Sequence, residues 1–359
     1  MMKKRIFALI LAFFMVMSIM STPASASYVD EAEADGLLDK IINVLSSIEN
    51  SKEAWGLSDV DFYDLQIGNP VHSYDCLAQS FEENAKLYPI FEDNNLLLWA
   101  IDYNGVITIT TDLVEQINNT ISLEEPFSII YDRYGCHICT KDYCKLLITY
   151  EDNLENESRS ILVPEAACKS EDLTLTKLED NHALLNLPHA APYAIDYFYS
   201  CNVPCVNQLP DEYICWAACI ASIVNYKTGR SLTAQDVAQR YFGYDYNQTL
   251  NIADVPNILS MYGINYLSQP MYPSDYTIYI NLLDHNPLYS RWITTGGGFG
   301  HACVIFGIDT YTFGGCLSLM DPWGGVYRTA EALNGGYFFY HPVSGTNYFL
   351  HRAVFNTLN

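Results

Sequence analysis

The sequence predicts an α+β protein built in two successive parts, and three observations carry that reading. An amphipathic helical pattern (Leu37, Leu38, Ile41, Ile42, Val44, Leu45, Ile48) opens the first part, and strand-like segments joined by Asn104-Gly105 follow it. A second helical stretch, from Trp216 to about Tyr226, precedes apolar strands in the second part. Charge changes sharply between the two. From Ser27 to Ser200, 32 Asp and Glu stand against nine Lys and Arg, and from Cys201 to Asn359 ten stand against six. A length of 359 residues admits two or three domains.

By its pattern the chain opens on an export signal. Lys3, Lys4 and Arg5 precede an apolar run from Ile6 to Met20, and Ala24-Ser25-Ala26 supplies a small-residue cleavage site. The run is too short for a comfortable membrane span, and no later stretch is long and apolar enough. The expectation is a secreted protein cut near Ala26, with no stable membrane insertion. A net charge of −24 argues against a nucleic-acid partner, which needs basic patches. The expected division is a signal peptide over 1–26, an acidic α+β N-terminal domain over 27–163, a linker over 164–197 and a second domain over 198–359.

In the acidic part the first helix is expected to end near Ser51. Asn95 to Tyr103 and Val106 to Thr111 read as a hairpin, because both positions of an Asn-Gly turn tolerate positive φ. Short strands are expected at Phe127–Tyr131, Leu146–Tyr150 and Ser160–Val163, giving an antiparallel sheet. The run Cys136-His137-Ile138-Cys139, with Cys144 beyond it, has the two-residue cysteine spacing of a zinc site. It lacks a distant second pair, so a local disulfide or free thiols is the expectation, and no metal or cofactor is predicted. Asn118-Asn-Thr120 and Asn156-Glu-Ser158 match the glycosylation pattern. The mixed, proline-punctuated stretch from about Pro164 to Pro192 is a natural place for proteolysis.

Chemistry gathers in the second part. Asp211 and Glu212 lie ahead of a helix whose first turn carries Cys215, and Lys227 and Gly229 are its stop signals. Unpaired N–H groups and the helix dipole at that end favour thiolate over thiol, which makes Cys215 a candidate nucleophile; a buried core cysteine is the plain alternative. The glycine-rich Thr295-Gly-Gly-Gly-Phe-Gly300 leads to His301 at the mouth of an apolar strand, and Asp321 ends the next strand before Pro322. Alone, His301 reads as a core histidine and Asp321-Pro322 as a turn. Together, in this order and each at an element boundary, they supply a thiol, a base and an orienting acid. His285 sits in a turn-like context, and His341 and His351 have no acid close in sequence. Cys219, one helical turn from Cys215, and Cys303, two residues from His301, read as packing residues.

These residues carry a resemblance. Val203-Pro-Cys-Val-Asn-Gln208 with Cys215-Trp-Ala-Ala, Gly300-His301-Ala-Cys-Val-Ile-Phe-Gly-Ile-Asp309 and Met320-Asp321-Pro-Trp-Gly resemble a papain-like cysteine peptidase of the bacterial C39-like type, over about residues 198–355. The secreted effector proteases of that clan are also similar. The resemblance implies a helical part carrying Cys215 and an antiparallel β part carrying His301 and Asp321. It implies Cys215 as nucleophile, His301 as general base and acid, and Asp321 as its orienter. Gln208, with Asn207 as the neighbouring candidate, would donate to the oxyanion, and Trp323 would shield the His301–Asp321 pair. A peptide or protein is the implied substrate. The acidic part resembles, more loosely, pro-regions that cover the cleft in cis until removed; a permanent accessory domain is the alternative. A thiol-dependent acyltransferase on the same scaffold and a non-catalytic secreted binding module are the competing functions.

Overall fold

In the computed structural model the described residues are 31–49, 51–62, 64–71, 73–75, 80–81, 84–93, 95–120, 127–131, 135–140, 144–149, 175–177, 197–209, 212–266, 270–294, 300–310, 315–333, 336–342 and 346–356. The export signal, Asn156–Ser158, the strand expected at Ser160–Val163, most of the linker, Asp211 and the glycine-rich Thr295–Phe299 lie outside them. The chain divides into two units at Asp39/Lys40, inside helix α1 (Glu31–Glu49). The second unit holds every described strand.

From Lys40 onward, α1 buries Ile41, Ile42, Val44, Leu45 and Ile48, the stripe its 3.6-residue period predicts. Among the described residues, eleven strands follow in the first half, interrupted by helix α2 (Val114–Asn118): β1 (Gln66–Gly68), β2 (Ser73–Asp75), β3 (Ser80–Phe81), β4 (Ala85–Glu92), β5 (Asn95–Tyr103), β6 (Val106–Thr110), β7 (Ser128–Tyr131), β8 (Gly135–Cys139), β9 (Cys144–Thr149), β10 (Leu175–Lys177) and β11 (Phe198–Ser200). The hairpin between β5 and β6 turns at Asn104 (φ 52°) and Gly105 (φ 84°), the two positive φ values that a two-residue turn of this hand requires. The Asn118 side chain donates to the Leu96 carbonyl at 2.8 Å and accepts from its N–H at 3.2 Å.

The antiparallel expectation for the acidic half needs one correction. A five-stranded sheet runs β3-β2-β7-β8-β9, and β2 pairs with β7 in parallel. The three long strands between them, β4 to β6, belong to the other sheet, so β7 returns through a crossover rather than a tight turn. Cys139 and Cys144 form a disulfide between the paired ends of β8 and β9, which removes two of the thiols that a zinc site there would need.

The second half begins with helices α3 (Cys215–Thr228), α4 (Ala234–Phe242), α5 (Val255–Ser260) and α6 (Asp275–Leu283). Helix α3 is buried from Trp216 to Val224 and packs on strands of the barrel that follows. Gly229 closes it at φ 67°. Strands β12 (Leu288–Thr294), β13 (Gly300–Asp309), β14 (Cys316–Asp321), β15 (Val326–Leu333), β16 (Gly336–His341) and β17 (Thr346–Val354) pair antiparallel in sequence, except that β12 also pairs β17, which closes the ring. Strand β13 is buried along nine of its ten residues, as a strand must be when a barrel interior lies on one face and α3 on the other.

Strand β15 also pairs outward with β6, Arg328 opposite Thr110, so strands expected in separate domains share one twelve-stranded sheet. Their side chains share a core as well: Trp99, Ile101 and Phe127 cluster with Phe338 and Tyr340, and the Tyr103 ring stacks on Tyr340 at 5.2 Å.

Candidate active site

Cys215 is the first residue of α3, and Ile214 ahead of it gives no side-chain cap. The first-turn N–H groups of a helix have no partner within the helix, so the sulfur sits at an end rich in free donors. Its thiol is half-buried. His301, the second residue of β13, and Asp321, the last of β14, come from neighbouring strands and are 6 % and 0 % exposed.

The imidazole Nε2 lies 2.7 Å from Asp321 Oδ1, which leaves Nδ1 as the ring nitrogen available to sulfur. The Cys215 side chain and the Cys303 thiol both lie beside the His301 ring and interact with it. Burial pulls the His301 pKa down, but the Asp321 carboxylate outweighs it and holds the pKa well above that of an ordinary histidine. Burial likewise raises the Asp321 pKa, yet His301 and Arg328 together keep it below the usual carboxylate range. The pair is therefore an imidazolium and a carboxylate at neutral pH. Burial pushes the Cys303 thiol up to about 12, so it remains protonated there.

Asp321 is held on both oxygens. Oδ1 also accepts the Trp323 backbone N–H at 2.9 Å, and Oδ2 lies 2.7 Å from Arg328 Nε and 3.7 Å from His341 Nε2. The Trp323 ring stands edge-on to His301 at 6.2 Å and is tilted over His341 at 4.8 Å, which screens this side of the imidazole from water. Gln208 is buried and anchored to the acid's loop: its N–H donates to Pro322 O at 2.9 Å, and Nε2 donates to Glu212 O at 3.0 Å. An amide nitrogen carries two hydrogens, so one is not taken by Glu212. Asn207 is exposed.

His301, Cys303 and Asp321 offer atoms within 4.8 Å of one another, close enough to hold a metal ion. The Arg328 guanidinium against the same carboxylate opposes a second cation, and a thiol held neutral is a poor ligand. A cavity of about 650 Å³ opens elsewhere, between Asn202–Asn207 and Asn225–Thr233, and none of Cys215, His301, Asp321 or Gln208 lines it.

The sequence missed three members of this cluster. His341 lies against Asp321 although no acid is near it in sequence. Arg328 is 1 % exposed, and Asp112, also 1 % exposed, ion-pairs with it from the acidic half at 3.5 Å. The one available signal was an arginine inside a mostly apolar strand segment, with Glu331 as its one charged neighbour there. Of the other histidines, His285 sits in the turn after α6, with its ring beside the hydroxyls of Tyr199 and Tyr226. Cys219 is fully buried beneath Cys215.

Residues 197–335 match a family model described as Papain-like cysteine protease AvrRpt2. The match supports a papain-like cysteine peptidase and does not single out the C39-like type. A search of the curated proteins finds no match. Among the described residues, no helix is long and apolar enough to cross a membrane.

Proposed function

We propose that this protein is a secreted cysteine peptidase that hydrolyses peptide bonds through Cys215, His301 and Asp321. The observation that carries the reading is a helix-end cysteine sulfur beside an imidazole whose far nitrogen is fixed, 2.7 Å away, by a buried carboxylate. The Cys215 thiolate attacks the substrate carbonyl carbon. The oxygen takes up the negative charge, held by the Cys215 backbone N–H and the Gln208 amide. Collapse expels the amine, which leaves with the His301 proton and forms a thioester. Water then attacks the thioester as His301 takes its proton, and collapse releases the acid and expels the Cys215 thiolate beside the re-formed imidazolium. The motifs at Val203–Gln208 and Cys215–Ala218 support the finer assignment to the C39-like type.

Secretion follows from the export signal. The order signal, acidic region, linker, peptidase is that of a zymogen switched on by cutting between about 164 and 198. Protein lacking residues 1–26 is then nearly inactive until cut, and full activity uncut rules the zymogen out. The test of the peptidase itself is Cys215→Ala. Cleavage of a peptide library should vanish while near-ultraviolet circular dichroism stays unchanged; cleavage that persists sinks the reading.

A further inference from the structure

Asp321 is ion-paired with a side chain that the acidic half also contacts. The Arg328 guanidinium reaches Asp321 Oδ2 through Nε at 2.7 Å and Asp112 Oδ2 through a terminal nitrogen at 3.5 Å, and it lies 5.1 Å from the centre of the Phe339 ring. An arginine buried to 1 % exposure needs its charge balanced, and here two carboxylates do so, one from each half of the chain. Local backbone aims Asp112 inward. Its N–H donates to Thr110 Oγ1 at 3.1 Å, and Leu113 after it takes φ 60°, a left-handed conformation that a leucine adopts only when its surroundings impose it. Asp112 also lies beneath the loop that follows Asp321, since a Cβ on Gly324 would sit 3.7 Å from Asp112 Oδ1.

The strand edge that delivers Asp112 is stitched to β15 on both sides of Arg328. Thr111 N–H donates to Tyr327 O at 2.9 Å, Tyr327 N–H to Thr111 Oγ1 at 3.0 Å, and Ile109 N–H to Thr329 Oγ1 at 2.7 Å. Trp55, further back in the acidic half, packs on Tyr327 at 5.9 Å and Phe306 at 6.4 Å. Stripping the acidic half away would expose Phe338, Tyr340 and the outer edge of β15, and would leave Arg328 with Asp321 as its sole carboxylate.

We propose that Asp112 and Arg328 are positioning residues for the Cys215–His301–Asp321 site, so that the acidic half completes that site and stays bound in the working enzyme even after the linker is cut. The proposal rests on the peptidase reading for what the site does, but not for the contacts themselves. Arg328 stops the Asp321 carboxylate from turning away from His301, and Asp112 keeps Arg328 from drawing Asp321 wholly to itself. Burial pushes the Asp112 carboxyl up to about 6 against the pull of Arg328, so its charge on Arg328 is complete only above that pH. The charged and titratable groups around the network are Asp321, His301, His341 and Cys303.

The experiment uses the chain from Ser27 to Asn359. Iodoacetamide alkylation of Cys215, followed by mass spectrometry across pH, reports on the thiol–imidazole pair without any substrate. Asp112→Asn keeps the side-chain shape and removes the charge. It should slow Cys215 alkylation at pH 7–8 and, in protein cut at the linker, lower kcat by about tenfold with KM held within about twofold, as expected for a misplaced reacting group. Arg328→Lys should recover part of what Arg328→Met loses. In a second arm a protease site is placed between residues 178 and 192 and cut to completion. Both fragments should then co-elute on gel filtration and keep the intact alkylation profile. A wild-type alkylation profile and kcat in Asp112→Asn, or a 197–359 fragment that elutes alone with full Cys215 reactivity, overturns the inference. Fast alkylation with no peptide cleavage by the unsubstituted protein after the linker is cut overturns the peptidase reading instead.

Discussion

Asp321 shows how much one side chain can be asked to do. Oδ1 orients His301 and takes the Trp323 N–H, and Oδ2 answers Arg328. Asp321→Asn keeps the shape but presents an amide where His301 needs a charged acceptor. The expected loss in kcat is on the order of 10²–10⁴-fold, no larger than for His301→Ala. The direction of the pH effect is fixed too. Asp321 is what lifts the His301 pKa, so its loss lowers that pKa and moves the alkaline limb of kcat/KM to lower pH. A pH–rate profile whose limb stays put would show that Asp321 is not what holds the imidazolium. Of the site residues, Cys215, His301 and Asp321 were legible in the sequence because each sits at the end of its own element, beside residues that end helices or strands. Arg328, Asp112 and His341 were not, because nothing near them in the chain hints at their partners.

At the scale of the element, two glycines separate backbone geometry from packing. Gly229 ends α3 at φ 67° with open space around its missing Cβ. Gly229→Ala should therefore cost only the backbone strain, about 1 kcal/mol, with kcat unchanged. Gly307 has an ordinary φ but lies where β11 and β14 flank β13, and a Cβ there would meet Ser318 Cβ at 2.8 Å and Ser200 Cβ at 3.4 Å. Gly307→Ala should cost more, about 1–3 kcal/mol by overpacking, and should disturb the strand that carries His301. Urea unfolding of both variants checks the ranking, and an equal cost would refute it. The sequence marks Gly229 plainly, as a glycine after a lysine at the end of a helical run. It gives no sign of the crowding at Gly307, which comes from strands that are neighbours only in space.

For the molecule as a whole, buried acids of opposite behaviour set the pH response. The Asp321 pKa is depressed, so its contribution is present above the unfolded value near 3.8 and is lost as pH falls through that region. Asp112 and Glu331 are raised by burial, to about 6 and about 8. A raised carboxyl acts the other way. The folded protein keeps a proton that the unfolded chain releases, so stability drains as pH climbs from the ordinary value of 4.5 toward 8 for Glu331. Glu331→Gln removes that drain. Its melting temperature should exceed the unsubstituted protein's by several degrees at pH 9, at about 2–4 °C per kcal/mol, and the difference should vanish near pH 4. A difference independent of pH would mean that Glu331 is not the group responsible.

What the sequence determined by itself is local. Periodicity drew α1 and α3, Asn104-Gly105 turned the β5–β6 hairpin, and element ends placed a thiol, an imidazole and a carboxylate where chemistry can use them. Each of these depends on residues a few positions apart. What only the tertiary structure decided is which distant strands meet. The parallel β2–β7 pair, the closure of β12 to β17 into a barrel, and the Thr110–Arg328 pairing that brings Asp112 under the acid are contacts between segments far apart along the chain. Hydrogen bonding along strand edges is nearly indifferent to side-chain identity, so pairing of this kind leaves no local mark. It is settled by how much apolar surface the whole chain can bury at once.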